Sequence, residues 1–126
     1  MSVNQVTLVG RLGGAPELRQ IESGSYVANF NLATSRTYKP KGEAKSVEHT
    51  EWHRVVVWGE QGVNCHRHIG KGCLVSITGR LQTDEWTDDD GAKHWSTKVI
   101  AQDVQFLTMG PDKRAEQERN ASAQTQ

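Results

Sequence analysis

The sequence predicts an all-β domain, a five-stranded, partly open barrel with one short helix between its third and fourth strands. Apolar and polar residues alternate over strand-length stretches, and glycine and proline break these stretches. A single segment, residues 61–69, is a good candidate for a helix. At 126 residues and 35% hydrophobic content, the chain is long enough for one such domain and too short for two ordinary ones.

The first half of the chain contains two predicted strands and a loop. The first strand covers residues 3–12 and ends at a Gly-Gly-Ala-Pro turn. A short extended piece at residues 17–21 precedes the second strand, residues 26–34, which alternates clearly. Residues 36–49 have no apolar periodicity and contain a Lys-Pro-Lys-Gly run, so we predict a long mobile loop there.

The second half completes the barrel. The remaining elements are a third strand at residues 50–58, the helix at 61–69, and fourth and fifth strands at 73–81 and 97–106. Gly70 and Gly72 close the helix, because a glycine beyond the last turn can adopt the left-handed conformation. A hairpin-like excursion from Trp86 to Trp95 joins the last two strands and turns at residues 88–91.

Five strands with a helix between the third and fourth is the order of the OB-fold. This small Greek-key barrel binds oligonucleotides across its second and third strands and the flanking loops. An SH3-like barrel is the weaker fit, because nothing in that fold calls for a helix at this place. We assign residues 1–107 to the barrel and residues 108–126, which have mixed charge and lack core formers, to a flexible tail.

The third strand carries the most informative pattern. Alternation sends Trp52, Arg54 and Trp58 to one face and Val55 and Val57 to the other. The second face is predicted to be core. Two rings with a guanidinium between them suit flat bases and a phosphate backbone. The alternative is that both tryptophans are buried core residues, although the arginine between them argues against it.

Two further aromatic residues lie in polar surroundings. Trp86 is interpreted either as a base-stacking ring or as a cross-strand partner of Trp95 that stabilises the hairpin. Tyr38, in the predicted loop, is either a stacking ring or an ordinary exposed tyrosine. The lysines that cluster beside Tyr38 favour contact with nucleic acid over a merely solvated surface.

The formal net charge is zero, with 15 basic and 15 acidic residues, but the charge is unevenly distributed. The first 45 residues carry six basic and three acidic residues, whereas Asp84, Glu85 and residues 88–90 gather negative charge in one turn region. A neutral total therefore does not exclude a polyanionic partner, which usually requires a local basic surface.

We predict no metal site, cofactor or catalytic centre. The segment from Cys65 to His68 has no second ligand pair at finger spacing, and Cys73 stands eight positions from Cys65. The adjacent carboxylates at residues 88–90 lie at a hairpin tip, point in divergent directions and lack a nearby base. The N-terminus has no signal-peptide pattern, and apolar stretches are only strand-length, so we expect a soluble cytoplasmic protein.

Five segments of the chain resemble bacterial single-stranded DNA-binding proteins. They are residues 4–13, 16–19, 27–35, 50–59 and 71–72. The Thr-Glu-Trp-His-Arg-Val-Val block is highly specific, and the resemblance extends over residues 3–107. It implies an OB-fold homotetramer, associated with the nucleoid, that coats single-stranded DNA without sequence preference during replication, recombination and repair. Proteins of this family are binding proteins, not enzymes.

The resemblance also implies site residues, position by position. Base-stacking aromatics fall on Tyr38, Trp52, Trp58 and Trp86, and phosphate-contacting residues on Arg19, Lys39, Lys41, Arg54 and Lys71, with Arg11 a nearby addition. His53 falls where the family makes a subunit contact.

The chain also departs from the family pattern. Asp84, Glu85 and Glu60 stand where many relatives carry basic residues. The tail lacks the acidic, aromatic tip through which relatives recruit replication and repair proteins. Two alternatives stay open: an OB-fold adaptor of the primosome type, whose main partner is a protein, and an enzyme subunit that delivers substrate through an OB domain.

Overall fold

The computed structural model describes residues 1–108, which form six β-strands and one α-helix. In chain order these are β1 (Val6–Leu12), β2 (Glu17–Gln20), β3 (Tyr26–Tyr38), β4 (Val47–Trp58), α1 (Glu60–His68), β5 (Leu74–Thr87) and β6 (Lys93–Thr108). Except for its first residue, the predicted tail lies outside the described residues.

Five of the strands close into a barrel. Their order is β1-β5-β6-β4-β3, and β3 returns to β1 through the pairs Arg11 with Ala33 and Leu12 with Leu32. Neighbouring strands are antiparallel except β4 and β6, which are parallel. The helix α1 lies between the third and fourth strands of the barrel, so the predicted OB-fold is confirmed.

The short extended piece predicted at residues 17–21 is a strand, β2. It pairs antiparallel with β3, from Glu17 opposite Asn29 to Gln20 opposite Tyr26. Because β2 joins β3 at the point where β3 leaves β1, it widens the sheet beside the barrel. This placement makes β2 one wall of the groove described below.

The core consists of the side chains that alternate strand residues send inward. Val55 and Val57 are fully buried, as the alternation of the third predicted strand indicates. The barrel core comprises Leu12, Ala28, Phe30, Leu32, Val55, Val57, Val75, Ile77 and Val99, together with Cys65, Ile69 and Cys73 from α1 and the turn after it. Burial raises the pKa of the Cys65 thiol to about 11, so this cysteine stays protonated at neutral pH.

The predicted loop over residues 36–49 is wrong. β3 continues to Tyr38 and β4 begins at Val47, so the connection is only residues 39–46. The fourth and fifth predicted strands are likewise too short, because β5 continues to Thr87 and β6 begins at Lys93.

These extensions form two hairpin arms that project beyond the core, residues 34–51 and residues 82–98. Most of the arm side chains are exposed on both faces, so apolar alternation is absent there. Main-chain hydrogen bonds between the paired strands, together with cross-strand pairs of hydroxyl groups, stabilise the arms in place of a buried apolar face. Ser35 Oγ lies 3.1 Å from Thr50 Oγ1, and Thr83 Oγ1 lies 3.0 Å from Thr97 Oγ1.

Smaller differences have local causes. β1 begins at Val6 rather than at residue 3, because the Asn4 side chain replaces a ladder residue: its amide donates to the Leu81 carbonyl and accepts from the Leu81 N–H, both at 2.9 Å. The helix is displaced from its prediction by one residue at each end. No helix in residues 1–108 has the length and apolar content needed to cross a membrane.

Candidate nucleic-acid interface

Two tryptophans project from the outer face of β4. Trp52 is 61% exposed and Trp58 is 49% exposed, so the alternative that both are core residues is wrong. Arg54 lies between them and is also exposed. Val56, on the same face, is buried against Val27 and Ile100 of the flanking strands. We call this side of the sheet, which carries Trp52, Arg54, Val56 and Trp58, the tryptophan face.

Trp52 reaches across the turn that follows β1. A Cβ atom added to Gly13 would lie 2.5 Å from Cζ3 of Trp52 and 2.9 Å from Cη2. Its neighbour across the β3–β4 ladder is Ala33, which is also small. The absence of a side chain at residue 13 therefore gives the indole its position over the β1–β2 turn.

Replacing Gly13 with alanine should displace this indole and weaken DNA binding about five-fold, a part of the stacking energy of one base. The free energy of unfolding should change by less than about 1 kcal/mol, because the ring edge is exposed and can move. Fluorescence titration and chemical denaturation measure the two quantities. Gly14→Ala is the matched control, since its Cβ would meet no atom within 4 Å. Equal affinities of the two variants would contradict the proposed role of Gly13.

Beside Trp52, a groove separates the β1–β2 turn and β2 from β3 and β4. Its volume is about 370 Å³, and it continues into a second hollow that shares Glu17, Asn29 and Arg54. Arg19 from β2 lines the second hollow. The structure therefore brings Arg19 and Arg54 to one groove, where two guanidinium groups can contact phosphates while the neighbouring ring stacks on a base.

Two groove residues were missed by the sequence analysis, Asn29 and Asn31. Asn31 lies directly opposite Arg54 across the ladder, and Asn29 lies opposite Val56. The alternation of the second predicted strand already sends both amides to the face away from the core. The sequence did not indicate that β2 and the β1–β2 turn would enclose them in a groove.

Trp86, on the β5–β6 arm, projects from the same side of the sheet as the tryptophan face. The register runs without a shift from the Val56–Ile100 pair through Gln82 opposite Lys98 to Trp86 opposite His94. Trp86 is 52% exposed, and its ring stacks on that of His94.

The proposed pairing of Trp86 with Trp95 is wrong. Trp95 lies opposite Glu85 on the other face of the arm, where it is 64% exposed. Successive residues of a strand point to opposite faces, so His94 and Trp95 cannot both face Trp86.

Tyr38 is separated from the three tryptophans. It ends β3 on the face that carries Leu32 inside the barrel, opposite to the face that carries Ala33 and Trp52. Its ring is 44% exposed, and the guanidinium carbon of Arg36 lies 5.5 Å from the ring centroid. Lys39 and Lys41 follow in the exposed turn at the tip of the arm. A single-stranded DNA in contact with both Tyr38 and the tryptophans would therefore have to pass over the edge of the β3–β4 arm.

Arg11 and Lys71 form a third basic position. Nη1 of Arg11 donates to the carbonyl oxygen of Gly72 at 3.0 Å, which ties the guanidinium to the turn that contains the exposed Lys71. The two cations are thus brought together, although they are 60 positions apart in the chain.

Two acidic residues of the β5–β6 arm, one on each of its faces, are paired with lysines. Asp84 Oδ2 lies 2.8 Å from Lys98 Nζ on the Trp86 side, and Glu85 Oε1 lies 3.6 Å from Lys93 Nζ on the Trp95 side. The hydrogen bond from Lys98, with a second from Gln82, lowers the pKa of Asp84. Residues 82–98 contain five acidic side chains and two lysines, so the arm presents a net negative charge to a phosphate backbone.

His53 lies on the core side of β4. Its Nε2 and Thr34 Oγ1 are 2.8 Å apart, and the residue is half-buried. The side chains of the cysteine–histidine segment in α1 point to different surroundings. Cys65 is buried in the core, whereas Nδ1 of His66 donates to the Pro16 carbonyl oxygen at 3.1 Å. In the part of the chain that the structure describes, no group of three His, Cys, Asp or Glu side chains is arranged to hold a metal ion.

The chain is similar to several known proteins. Residues 3–107 match the single-strand binding protein family. The chain is 43% identical over 106 residues to single-stranded DNA-binding protein 1 of Chlorobaculum tepidum, a match that covers 83% of this chain and 65% of that protein's length. A Plasmodium falciparum SSB solved in complex with ssDNA superposes with a TM-score of 0.76 at 29% identity, covering 85% of this chain and 97% of that one. The chain belongs to the single-strand binding protein family.

Proposed function

We propose that this protein binds single-stranded DNA without sequence preference, by stacking bases on exposed aromatic rings and by contacting phosphates with basic side chains. One observation carries the proposal: Trp52, Trp58 and Trp86 are exposed on one side of a continuous sheet, beside a groove with two arginines. Every base has a π-face, so stacking on such rings is independent of sequence. An OB-fold adaptor with a protein as its main partner is the less favoured alternative.

Further properties belong to the same proposal. Residues 1–107 act as the binding domain, and the protein protects single strands during replication, recombination and repair, in the cytoplasm at the nucleoid. It acts by binding and not by catalysis. The similarity to single-stranded DNA-binding protein 1 of Chlorobaculum tepidum and to the Plasmodium falciparum SSB solved with ssDNA supports this proposal.

We propose a homotetramer, with His53 at a subunit contact. One edge of β1 supports association. Residues 6–10 pair with β5 along one edge, and no other strand within residues 1–108 pairs with them along the opposite edge. Val9 on this strand is exposed. An unpaired strand edge with an exposed apolar side chain favours a second copy of the chain.

Titration with oligo(dT) tests the function. We expect deep quenching of tryptophan fluorescence, because stacked bases contact the indoles directly. The logarithm of affinity should fall linearly with the logarithm of salt concentration. The slope of this line should be about −0.7 for each phosphate neutralised. Unchanged fluorescence together with no shift in electrophoretic mobility would exclude the proposal and favour the adaptor. Sedimentation of the same samples gives the oligomer mass, and a monomer would exclude the tetramer.

Reversing the charge of Asp84 should strengthen binding. Asp84→Lys removes the partner of Lys98 and adds a cation on the Trp86 side, so two charges become available. The salt dependence should steepen by up to about 1.4 in slope, about 0.7 for each added phosphate contact. Glu85→Lys is the matched control, because Glu85 lies on the other face and should change the slope less. An unchanged slope for Asp84→Lys would place the arm away from the DNA path.

A further inference from the structure

The β5–β6 arm contains a chain of contacts that ends at Trp86. The imidazole of His94 stacks on the indole, with ring centroids 4.4 Å apart and an interplanar angle of 21°. Nε2 of His94 donates a hydrogen bond to Oδ2 of Asp88 at 2.7 Å. The imidazole of His94 therefore supports one face of the Trp86 indole, and the carboxylate of Asp88 holds the imidazole in place.

Asp88 is itself fixed by the turn at the tip of the arm. Its Oδ1 accepts hydrogen bonds from the N–H groups of Asp90 and Ala92, both at 2.9 Å. Gly91 takes the left-handed conformation (φ 86°) that closes this turn. The bond from His94, followed by that from the Ala92 N–H, lowers the pKa of Asp88, so the carboxylate is ionised at neutral pH.

The stack leaves only one face of the Trp86 indole open to a base, because the imidazole covers the other. It also restricts rotation of the indole about its side-chain bonds. A ring that is ordered before binding loses less conformational entropy when a base stacks on it. The geometry points to His94 as a positioning residue for Trp86, held by Asp88, an inference that rests on the proposed binding of single-stranded DNA.

Protonation of His94 should strengthen this arrangement. The stack becomes a cation–π contact and the hydrogen bond becomes an ion pair. On the same face of the arm, Asp84 and Lys98 are paired with each other. The turn adds the acidic Asp89 and Asp90, and the charged residues Glu85 and Lys93 lie on the opposite face. Asp88 is thus the carboxylate bonded to His94, and we expect affinity to be higher when this imidazole is protonated than when it is neutral.

The experiment compares His94→Ala, His94→Phe and Asp88→Asn in the full chain. Affinity for oligo(dT) is measured at constant salt from about pH 8 to about pH 5.5, which spans ordinary histidine titration. His49→Ala is the matched control: Nε2 of His49 bonds Oε1 of Glu51 at 2.8 Å, and no ring stacks on His49 within residues 1–108. Thermal unfolding shows that each variant is folded.

We expect His94→Ala to bind oligo(dT) about five-fold more weakly, because the stabilisation that one aromatic pair contributes is lost. His94→Phe should restore most of the affinity at about pH 8, because the ring stack remains, but should lose the increase at acidic pH. Asp88→Asn should weaken binding by an intermediate factor. In the DNA-free protein, the ring protons of His94 should be shifted upfield in NMR spectra, and Trp86→Leu should abolish this shift.

Two results would overturn the inference while the proposed function stands. One is wild-type affinity and pH profile for His94→Ala in a protein that binds oligo(dT). The other is an equal loss for His94→Phe and His94→Ala, since a phenyl ring retains the stack. Failure of the unaltered protein to bind oligo(dT) is a different outcome, because it contradicts the proposed function itself.

Discussion

Replacing Trp52 and Trp58 together with alanine is expected to weaken binding of oligo(dT) about a thousandfold. Stacking contributes about 2 kcal/mol for each base, and 1.4 kcal/mol corresponds to a tenfold change in affinity. Both rings are exposed, so the free energy of unfolding should change by less than about 1 kcal/mol. Fluorescence anisotropy of a labelled oligonucleotide measures the affinity, because this readout does not depend on the deleted indoles.

Trp95→Ala is the control for this prediction. Trp95 is at least as exposed as the other tryptophans, but it lies on the face of the β5–β6 arm that points away from them. Its removal should change affinity less than about two-fold, within the range of an ordinary surface substitution. If the double variant bound as tightly as the unaltered protein, base stacking on the tryptophan face would have to be abandoned.

Replacing Gly10 with alanine is expected to destabilise the barrel strongly. An added Cβ would lie 2.2 Å from the carbonyl oxygen of Ala33 and 3.0 Å from its carbon, where β3 returns to β1 and closes the barrel. Backbone atoms cannot move aside as a side-chain end can, so the strands must separate. We expect a loss of about 3 kcal/mol, the upper end of overpacking costs.

Urea unfolding followed by circular dichroism measures this loss. The melting temperature should fall by about 15 °C for a domain of this size. Gly14→Ala, whose Cβ enters open space four positions further along, should unfold with the unaltered protein. A Gly10→Ala variant as stable as Gly14→Ala would mean that β1 and β3 are not in such close contact.

The third predicted strand shows how much alternation alone can determine. The side chains of successive strand residues point to opposite faces, so the exposure of Trp52 and the burial of Val55 follow from their positions once the strand is recognised. The same reasoning failed for residues 36–49. A hairpin arm with both faces in solvent has no buried side, and therefore no apolar alternation by which to recognise it.

The site shows a similar division. The aromatic and basic residues were identifiable one by one, but not their grouping. Tyr38 falls on the opposite face from Trp52, because the register of β3 with β4 continues unbroken to the end of the strand. Trp86 meets His94, not Trp95, because the turn at residues 88–91 sets which residues lie opposite each other.

By itself the sequence determined the strand segments that have a buried face, the position of the helix, and the two faces of each such strand, because these depend on the spacing of residues within one segment. The tertiary structure decided which segments meet: Gly13 under the Trp52 ring, Arg19 and Arg54 in one groove, and His94 against Trp86. Such contacts depend on the register and closure of the barrel, which follow from pairing between distant strands and not from the pattern within any one of them.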